Sequence, residues 1–206
     1  GAGTDTITLG AFANTVTLTN VETINGGTSN DVVTLGSAVT SGSISLGSGT
    51  DTITLGNFAN TVTLSNIETV NGGTSDDVVT LGTAASGTVN LGAGTDTLTL
   101  GDFANSVTLS NIETITGGTS SDVVTLGTAI NGSLDLGAGT DSLTLGNFAN
   151  TVTATGIETI TGGTSNDVVV LAAALTGTIN LGSGTDTLTL GDFANTVTLS
   201  NIETIT

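Results

Sequence analysis

The 206-residue chain contains no Lys, Arg, His, Cys, Met, Trp, Tyr or Pro. Without His, Cys, Lys or Tyr, it has no usual general base near neutral pH, no thiolate nucleophile and no imidazole metal ligand. We therefore predict that the protein is not an enzyme. A glycoside hydrolase with paired carboxylates is the enzymatic alternative, but the acids of this chain recur in several repeats, whereas an active site is normally unique.

The chain also lacks any positively charged side chain, and its 18 Asp and Glu residues give a formal net charge of −18. Such a surface repels phosphate and anionic lipid headgroups, so we expect neither nucleic acid nor a membrane surface as a partner. The longest apolar stretch, residues 168–175, is too short to span a membrane. The expected partner is a cation.

What the chain does contain is a tandem repeat. The motif GAGTD at residues 1–5 returns as GSGTD at 47–51 and 182–186 and as GAGTD at 92–96 and 137–141. This period predicts a single continuous solenoid with repeats at 1–46, 47–91, 92–136 and 137–181 and a partial repeat at 182–206. Because the sequence begins and stops within motifs, we expect it to be an excerpt of a longer chain.

Each repeat divides into five units, most of which begin with Gly, Asn or Asp and end in alternating aliphatic and Thr residues. A period of two is typical of a half-buried β-strand, and Gly, Asn and Asp favour tight turns. We therefore predict an all-β parallel β-solenoid whose short strands stack about 4.8 Å apart. The one Phe of each repeat, for example Phe58, is expected to plug a corner with an apolar ring.

The unit GGTSNDVVT at residues 26–34 resembles the nonapeptide GGxGxDxUx of RTX proteins, which are secreted bacterial repeat proteins, with Ser29 in place of the third Gly. Equivalent units begin at Gly72, Gly117 and Gly162, and the GxGTD motifs match from the second Gly onward. The resemblance implies a two-sided, calcium-binding β-roll with roughly 18 residues per turn. A three-sided parallel β-helix with two turns per 45-residue repeat is the competing geometry.

In a two-sided roll, five units make two and a half turns, so successive repeats present their acids on opposite edges. One edge then carries Asn14, Asp31, Asp51 and Glu68, and the opposite edge carries Asn60, Asp77, Asp96 and Glu113. Two carboxylates one turn apart repel by about 1 kcal/mol in water and by ~3 kcal/mol at an effective dielectric constant of 20. Because no cationic side chain relieves this repulsion, we predict that Ca²⁺, which prefers oxygen ligands, lies between the turns.

The resemblance implies several Ca²⁺ ions and assigns them to the motif aspartates. These aspartates are Asp5, Asp31, Asp51, Asp77, Asp96, Asp122, Asp141, Asp167 and Asp186. A second set of candidate ligands consists of Asn14, Asn60, Asn105, Asn150, Asn195, Glu22, Glu68, Glu113, Glu158 and Glu203. We expect Asp102, Asp135 and Asp192 on the solvated surface, and Asp76 either beside Asp77 or in solvent.

These features favour a structural role: a calcium-stabilised stalk, filament, adhesin or surface-layer segment of a large secreted bacterial cell-surface protein, with self-association into filaments or arrays. The extracellular location follows from the resemblance, since a fold that depends on calcium would assemble only after export. An ice-binding face is the alternative from another class. It is suggested by TxT tracts such as Thr15 and Thr17 or Thr52 and Thr54, although Thr is also simply a good outward-facing strand residue.

Overall fold

The computed structural model describes residues 1–206 and contains 23 short β-strands and no helix. Odd-numbered strands form a 12-stranded parallel sheet and even-numbered strands form an 11-stranded parallel sheet, each in sequence order. The chain thus crosses from one sheet to the other after every strand, and two strands complete a turn. The two-sided solenoid predicted from the sequence is confirmed, and the three-sided alternative is wrong, because a third sheet is absent.

The strands are two to seven residues long. The 12-stranded sheet contains β1 Thr6–Thr8, β3 Thr23–Gly27, β5 Gly42–Gly47, β7 Thr61–Ser65, β9 Val78–Leu81, β11 Thr97–Thr99, β13 Thr114–Gly118, β15 Asn131–Gly137, β17 Thr151–Thr155, β19 Val168–Leu171, β21 Thr187–Thr189 and β23 Thr204–Ile205. The 11-stranded sheet contains β2 Thr15–Leu18, β4 Val32–Leu35, β6 Thr52–Thr54, β8 Thr69–Gly73, β10 Ser86–Gly92, β12 Ser106–Ser110, β14 Val123–Leu126, β16 Ser142–Thr144, β18 Thr159–Gly163, β20 Thr176–Gly182 and β22 Thr196–Ser200.

The core is a continuous aliphatic layer between the two sheets. Along β9, for example, Val79 and Leu81 point inward and are buried, while Val78 and Thr80 point outward. The 40 buried hydrophobic residues form one cluster, and burial of each such side chain stabilises the fold by about 1.5–3 kcal/mol before entropy is subtracted. Contacts between these aliphatic side chains therefore join successive coils, and the polar side chains lie at the corners between strands.

Paired glycines let adjacent coils approach closely at the corners. A Cβ atom on Gly72 would lie 2.0 Å from the carbonyl oxygen of Leu91, and one on Gly73 would lie 2.0 Å from that of Gly56. Both glycines have ordinary negative φ values, so the requirement here is space rather than backbone conformation. The Ser in the third glycine position of these units, such as Ser75, also avoids positive φ, so its substitution for Gly causes no backbone strain.

The Phe residues differ from the sequence expectation. Phe58, Phe103, Phe148 and Phe193 remain 36–43% exposed, and Phe12 is 80% exposed. The ring of Phe58 instead covers the outside of the Gly56 corner, where a Cβ atom would lie 3.2 Å from the ring. The rings therefore lie at the corners, as predicted, but they cover the corners from outside and remain partly exposed, because aliphatic side chains of the strands already fill the interior.

Candidate metal centre

The predicted ligands form two columns of corner residues, one along each edge of the solenoid. The first column precedes strands of the 11-stranded sheet and contains Asn14, Asp31, Asp51, Glu68, Asn105, Asp122, Asp141, Glu158 and Asn195. The second column precedes strands of the 12-stranded sheet and contains Asp5, Glu22, Asn60, Asp77, Asp96, Glu113, Asn150, Asp167, Asp186 and Glu203. The structure thus brings the predicted acids of each repeat together in the order expected from their spacing.

Within each column, a side chain accepts a hydrogen bond from the backbone of the preceding turn. The N–H of Asn60 donates to Asp77 Oδ1 at 2.9 Å, that of Asp77 donates to Asp96 Oδ1 at 2.7 Å, and that of Asp96 donates to Glu113 Oε2 at 2.8 Å. The same ladder recurs on the other edge, where the N–H of Asp31 donates to Asp51 Oδ1 at 2.6 Å. One oxygen of each of these Asp side chains is therefore occupied by a hydrogen bond from the backbone.

The asparagine begins each ladder. Asn60 accepts a hydrogen bond from the N–H of Val39 through Oδ1, at 3.0 Å, and donates through Nδ2 to Asp77 Oδ1, at 2.9 Å. Its amide also donates to the carbonyl oxygen of Phe58 at 2.7 Å. Both polar atoms of Asn60 are thus already engaged, and its amide supplies the positive end of a dipole to the acid in the next turn.

The second oxygen of the motif aspartates has no hydrogen-bond partner. Asp77 and Asp96 are fully buried, and in both residues Oδ2 is inaccessible to solvent and unpaired. Oδ2 is likewise buried and unpartnered in each of the eight stacked aspartates, Asp31, Asp51, Asp77, Asp96, Asp122, Asp141, Asp167 and Asp186, whereas Oδ2 of Asp5 lies 2.6 Å from the N-terminal ammonium. A buried carboxylate oxygen without a partner costs several kcal/mol in real proteins, on the order of a large part of a domain's stability.

Burial changes the proton affinity of these carboxyl groups. Desolvation raises the pKa of Asp96 to about 6, opposed by the hydrogen bond from the Asp77 backbone and reinforced by the negative charges of Asp77, Glu113 and Asp76. Desolvation is also the main cause of the raised pKa values of Asp51, Asp77, Asp141 and Asp167. The columns therefore require a positive charge, either a proton or a metal ion.

The available donor set is suited to a hard cation, although the acids do not form compact clusters. No three acidic side chains converge in the arrangement of a metal site, because each corner contributes one free Oδ2 and neighbouring corners follow one turn apart.

A second ladder outside the columns was not predicted from the sequence. The residue before the motif aspartate accepts a hydrogen bond from the Thr of the next GTD motif. Asn30 Oδ1 accepts from the N–H of Thr50 at 2.9 Å, and Asp76 Oδ1 accepts from the N–H of Thr95 at 2.8 Å. The only sequence signal is that this variable position is always Asn, Asp or Ser. Asp76, Asp102, Asp135 and Asp192 are all exposed.

Comparison with known proteins agrees with the motif assignment. The family model described as RTX calcium-binding nonapeptide repeat (4 copies) matches residues 19–38 and 152–171. No curated protein matches the chain significantly. A crystal structure of a hyperactive, Ca²⁺-dependent, beta-helical antifreeze protein from an Antarctic bacterium is 23% identical, covers 98% of this chain and 75% of its own chain, and superposes with a TM-score of 0.31.

Both segments matched by the family model contain a GGTSND corner. The chain is therefore a β-solenoid in which two segments are similar to the RTX calcium-binding repeat, in agreement with its motifs, and such repeats are typical of secreted bacterial proteins. It contains no helix with the length and apolarity needed to cross a bilayer.

Proposed function

We propose that Ca²⁺ binds at four pairs of stacked aspartates and rigidifies the solenoid. The pairs are Asp31 and Asp51, Asp77 and Asp96, Asp122 and Asp141, and Asp167 and Asp186, and Asp5 supplies one half of a further pair. The observation that carries the proposal is the buried, unpartnered Oδ2 of all eight paired aspartates. Glu68 and its equivalents close each acidic run and are secondary ligands.

Calcium is the metal that the donor set favours. Ca²⁺ accepts six to eight oxygen ligands in flexible geometry, whereas Mg²⁺ requires a stricter octahedron and Zn²⁺ normally needs His or Cys. A stacked pair offers two carboxylate oxygens, and the remaining ligands must be backbone carbonyl oxygens, hydroxyl groups or water. The column asparagines position the pair through the Nδ2 hydrogen bonds described above, and their own coordination of the metal is a weaker part of the proposal.

The role of the metal is structural. A divalent ion replaces the repulsion between two buried carboxylates with attraction, and because it binds the folded coils and not the unfolded chain, its binding free energy adds to stability. We propose that the protein is a rod-like segment of a secreted bacterial cell-surface protein, such as a stalk, filament, adhesin or surface-layer component. Extracellular calcium would then couple folding to export, and the rods would associate with one another into filaments or arrays.

Chelation is the direct test of this function. Circular dichroism and thermal melting of the metal-free protein, with added EGTA, are compared with the protein in millimolar Ca²⁺ and in millimolar Mg²⁺. We expect strand content and melting temperature to rise with Ca²⁺ and to rise much less with Mg²⁺. An identical melting curve in EGTA and in Ca²⁺ would leave the aspartates as turn-capping residues only.

A second candidate function, ice binding, is favoured by one observation. Seven threonines on consecutive strands of the 11-stranded sheet stand in register, about 4.8 Å apart, on its outer face. They are Thr52, Thr69, Thr88, Thr108, Thr125, Thr144 and Thr161. The ranks beside them contain Asn71, Asn90 and Val123, so the flat face is one Thr wide, and the TxT tracts are divided between the two sheets.

Thermal hysteresis of ice growth tests this candidate. If the rank binds ice, Thr108→Lys abolishes the hysteresis, while Thr99→Lys on the opposite sheet preserves it. A solution without hysteresis would exclude ice binding and leave the structural proposal unaffected. The glycoside hydrolase alternative gains no support, because the linings of the two narrow surface clefts contain no Asp or Glu.

A further inference from the structure

In all four aspartate pairs the N–H of the first aspartate donates to Oδ1 of the second at 2.6–2.7 Å, but the neighbours of the pairs differ. The residue preceding the first aspartate of each pair is Asn30, Asp76, Ser121 or Asn166. In all four cases its side-chain oxygen accepts a hydrogen bond from the N–H of the Thr that precedes the second aspartate, at 2.8–2.9 Å. The repeats therefore form a natural series in which the charge at one fixed position changes while the hydrogen bond is retained.

Only the second repeat places a carboxylate at this position. Asp76 directly precedes Asp77, and its hydrogen bond to the N–H of Thr95 holds its carboxylate beside the residue that precedes Asp96. Asp77 and Asp96 are themselves fully buried, each with an unpartnered Oδ2. The exposed charge of Asp76 thus lies on the solvent side of a site with two buried carboxylate oxygens that have no partner.

Resting on the calcium sites proposed above, we infer that the four pairs bind Ca²⁺ unequally and that the Asp77–Asp96 pair fills first. A third negative charge several ångströms from a divalent ion raises its affinity by about tenfold at low ionic strength. The neutral Asn30, Ser121 and Asn166 give no such increase. As calcium rises, the coils around Asp77 and Asp96 become rigid first, and ordering spreads from there to the other pairs.

The series also provides matched variants. Asp76→Asn keeps an oxygen acceptor for the N–H of Thr95 and creates the GGTSND corner already present at Asn30 and Asn166. Asn166→Asp makes the reverse change beside Asp167 and Asp186. Asp135→Asn is the control for net charge, because Asp135 lies on the outward face of β15, where equivalent repeats carry Asn90 and Asn180.

The experiment is a Ca²⁺ titration of the full chain, followed by the backbone amide resonances of the eight paired aspartates, with calorimetry to count the ions. We expect the amides of Asp77 and Asp96 to reach their midpoint at about one tenth of the Ca²⁺ concentration needed at the other pairs. Asp76→Asn should abolish this difference, Asn166→Asp should give Asp167 and Asp186 the same advantage, and Asp135→Asn should leave the order unchanged. In 1 M KCl the advantage should nearly vanish, because the Debye length falls to about 3 Å.

Two outcomes overturn the inference in different ways. Ions that bind with one common midpoint, or an Asp77–Asp96 midpoint that ignores Asp76→Asn, disprove the unequal filling and leave the calcium sites intact. Aspartate amides that do not respond to Ca²⁺ at any concentration, with no heat of binding, disprove the calcium sites and the order of filling together.

Discussion

The backbone N–H of Asp77 donates to Oδ1 of Asp96 at 2.7 Å, although both side chains are buried carboxylates one turn apart. This bond satisfies one oxygen of Asp96 and, by fixing the side chain, holds the other oxygen inside the corner without a partner. The backbone hydrogen bonds therefore position the acidic side chains without a bound metal ion. The absence of Lys, Arg and His means that no side chain of the protein neutralises them.

Replacing one member of this pair should invert the effect of calcium on stability. In Asp77→Asn, the new amide faces Asp96 Oδ1 as the amide of Asn60 faces Asp77 Oδ1 in the native ladder. We expect the variant to be more stable than the native protein in EGTA by about 1–3 kcal/mol, since one repulsive contact is removed. In saturating Ca²⁺ it should be less stable, because one site is lost. Thermal melting of both proteins in EGTA and in Ca²⁺ tests whether the order of their stabilities reverses.

Asp135→Asn is the matched control for this reversal of the stability order, because it removes one charge from an exposed strand position outside the columns. Its melting temperature should differ from that of the native protein by no more than a degree or two in either buffer. If Asp77→Asn destabilised the protein equally with and without Ca²⁺, the pair would contribute through hydrogen bonding alone.

The raised pKa values of Asp51, Asp77, Asp96, Asp141 and Asp167 predict that acid stabilises the metal-free protein. The ordinary pKa of Asp is 3.8, and that of Asp96 in the folded protein is about 6, so between pH 6 and 4 folded Asp96 binds a proton that the unfolded chain does not. The raised pKa values of the other four aspartates act in the same direction. Stability in EGTA should therefore rise as the pH falls from about 7 to 4.

Melting temperature across this pH range is the measurement. In Ca²⁺ the trend should be weaker or reversed, because protons compete with the metal for the same oxygens. A metal-free protein that loses stability steadily from pH 7 to 4 would show that these aspartates are stabilised as anions by the fold itself.

The sequence predicts the columns well because their position depends only on spacing. The step from Asn14 to Asp31 or from Asp51 to Glu68 is one coil of a two-sided solenoid, and the register Val32 to Thr52 to Thr69 follows the same steps. Spacing does not reveal which oxygen of Asp51 accepts the N–H of Asp31, since this depends on the orientation of the corner backbone. Which carboxylate oxygen of each Asp is left without a partner was therefore not predictable.

Phe58 and Asp76 show two other limits. An aromatic residue in a corner motif is predicted to fill that corner, but its burial depends on how much space the Leu and Ile side chains leave between the sheets. The sequence leaves Asp76 either beside Asp77 or in solvent and does not reveal its hydrogen-bond partner, because that partner, the N–H of Thr95, is 19 positions away in sequence. Contacts between coils decide both cases, and periodicity alone does not specify them.

Gly72→Ala should destabilise the solenoid severely. The added methyl group would lie 2.0 Å from the carbonyl oxygen of Leu91, 2.6 Å from its carbonyl carbon and 2.7 Å from its Cα, all of which are backbone atoms of the next coil. Since backbone cannot rotate away as a side chain does, the coils must separate, and we expect a loss of about 3 kcal/mol or more. Ser48→Ala is the control: Ala93 and Ala138 occupy equivalent corners, so its melting temperature should be nearly native. A Gly72→Ala protein with native stability would contradict the close stacking of these corners.

The fourth repeat contains a packing defect that substitution should repair. Ala154 stands between Leu134 and Leu171 in the 12-stranded sheet, where the equivalent positions in other repeats hold Leu18, Leu64, Leu109 and Leu199. A narrow surface cleft lies beside it, lined also by Leu175 and Ala173. Ala154→Leu should fill part of this space and stabilise the protein by about 1–2 kcal/mol, or some 2–8 °C in melting temperature.

Leu109→Ala makes the opposite change at the matching position, where Leu109 is 1% exposed and stacks between Val89 and Leu126. We expect it to cost about 2–5 kcal/mol, because it removes buried methyl groups and leaves a cavity. Neither site contains an acid, so both changes in melting temperature should be the same in EGTA and in Ca²⁺. Such a result would distinguish the contribution of the aliphatic core from that of the two corner columns. If Ala154→Leu lowered the melting temperature, the space beside Ala154 would be too narrow for a leucine.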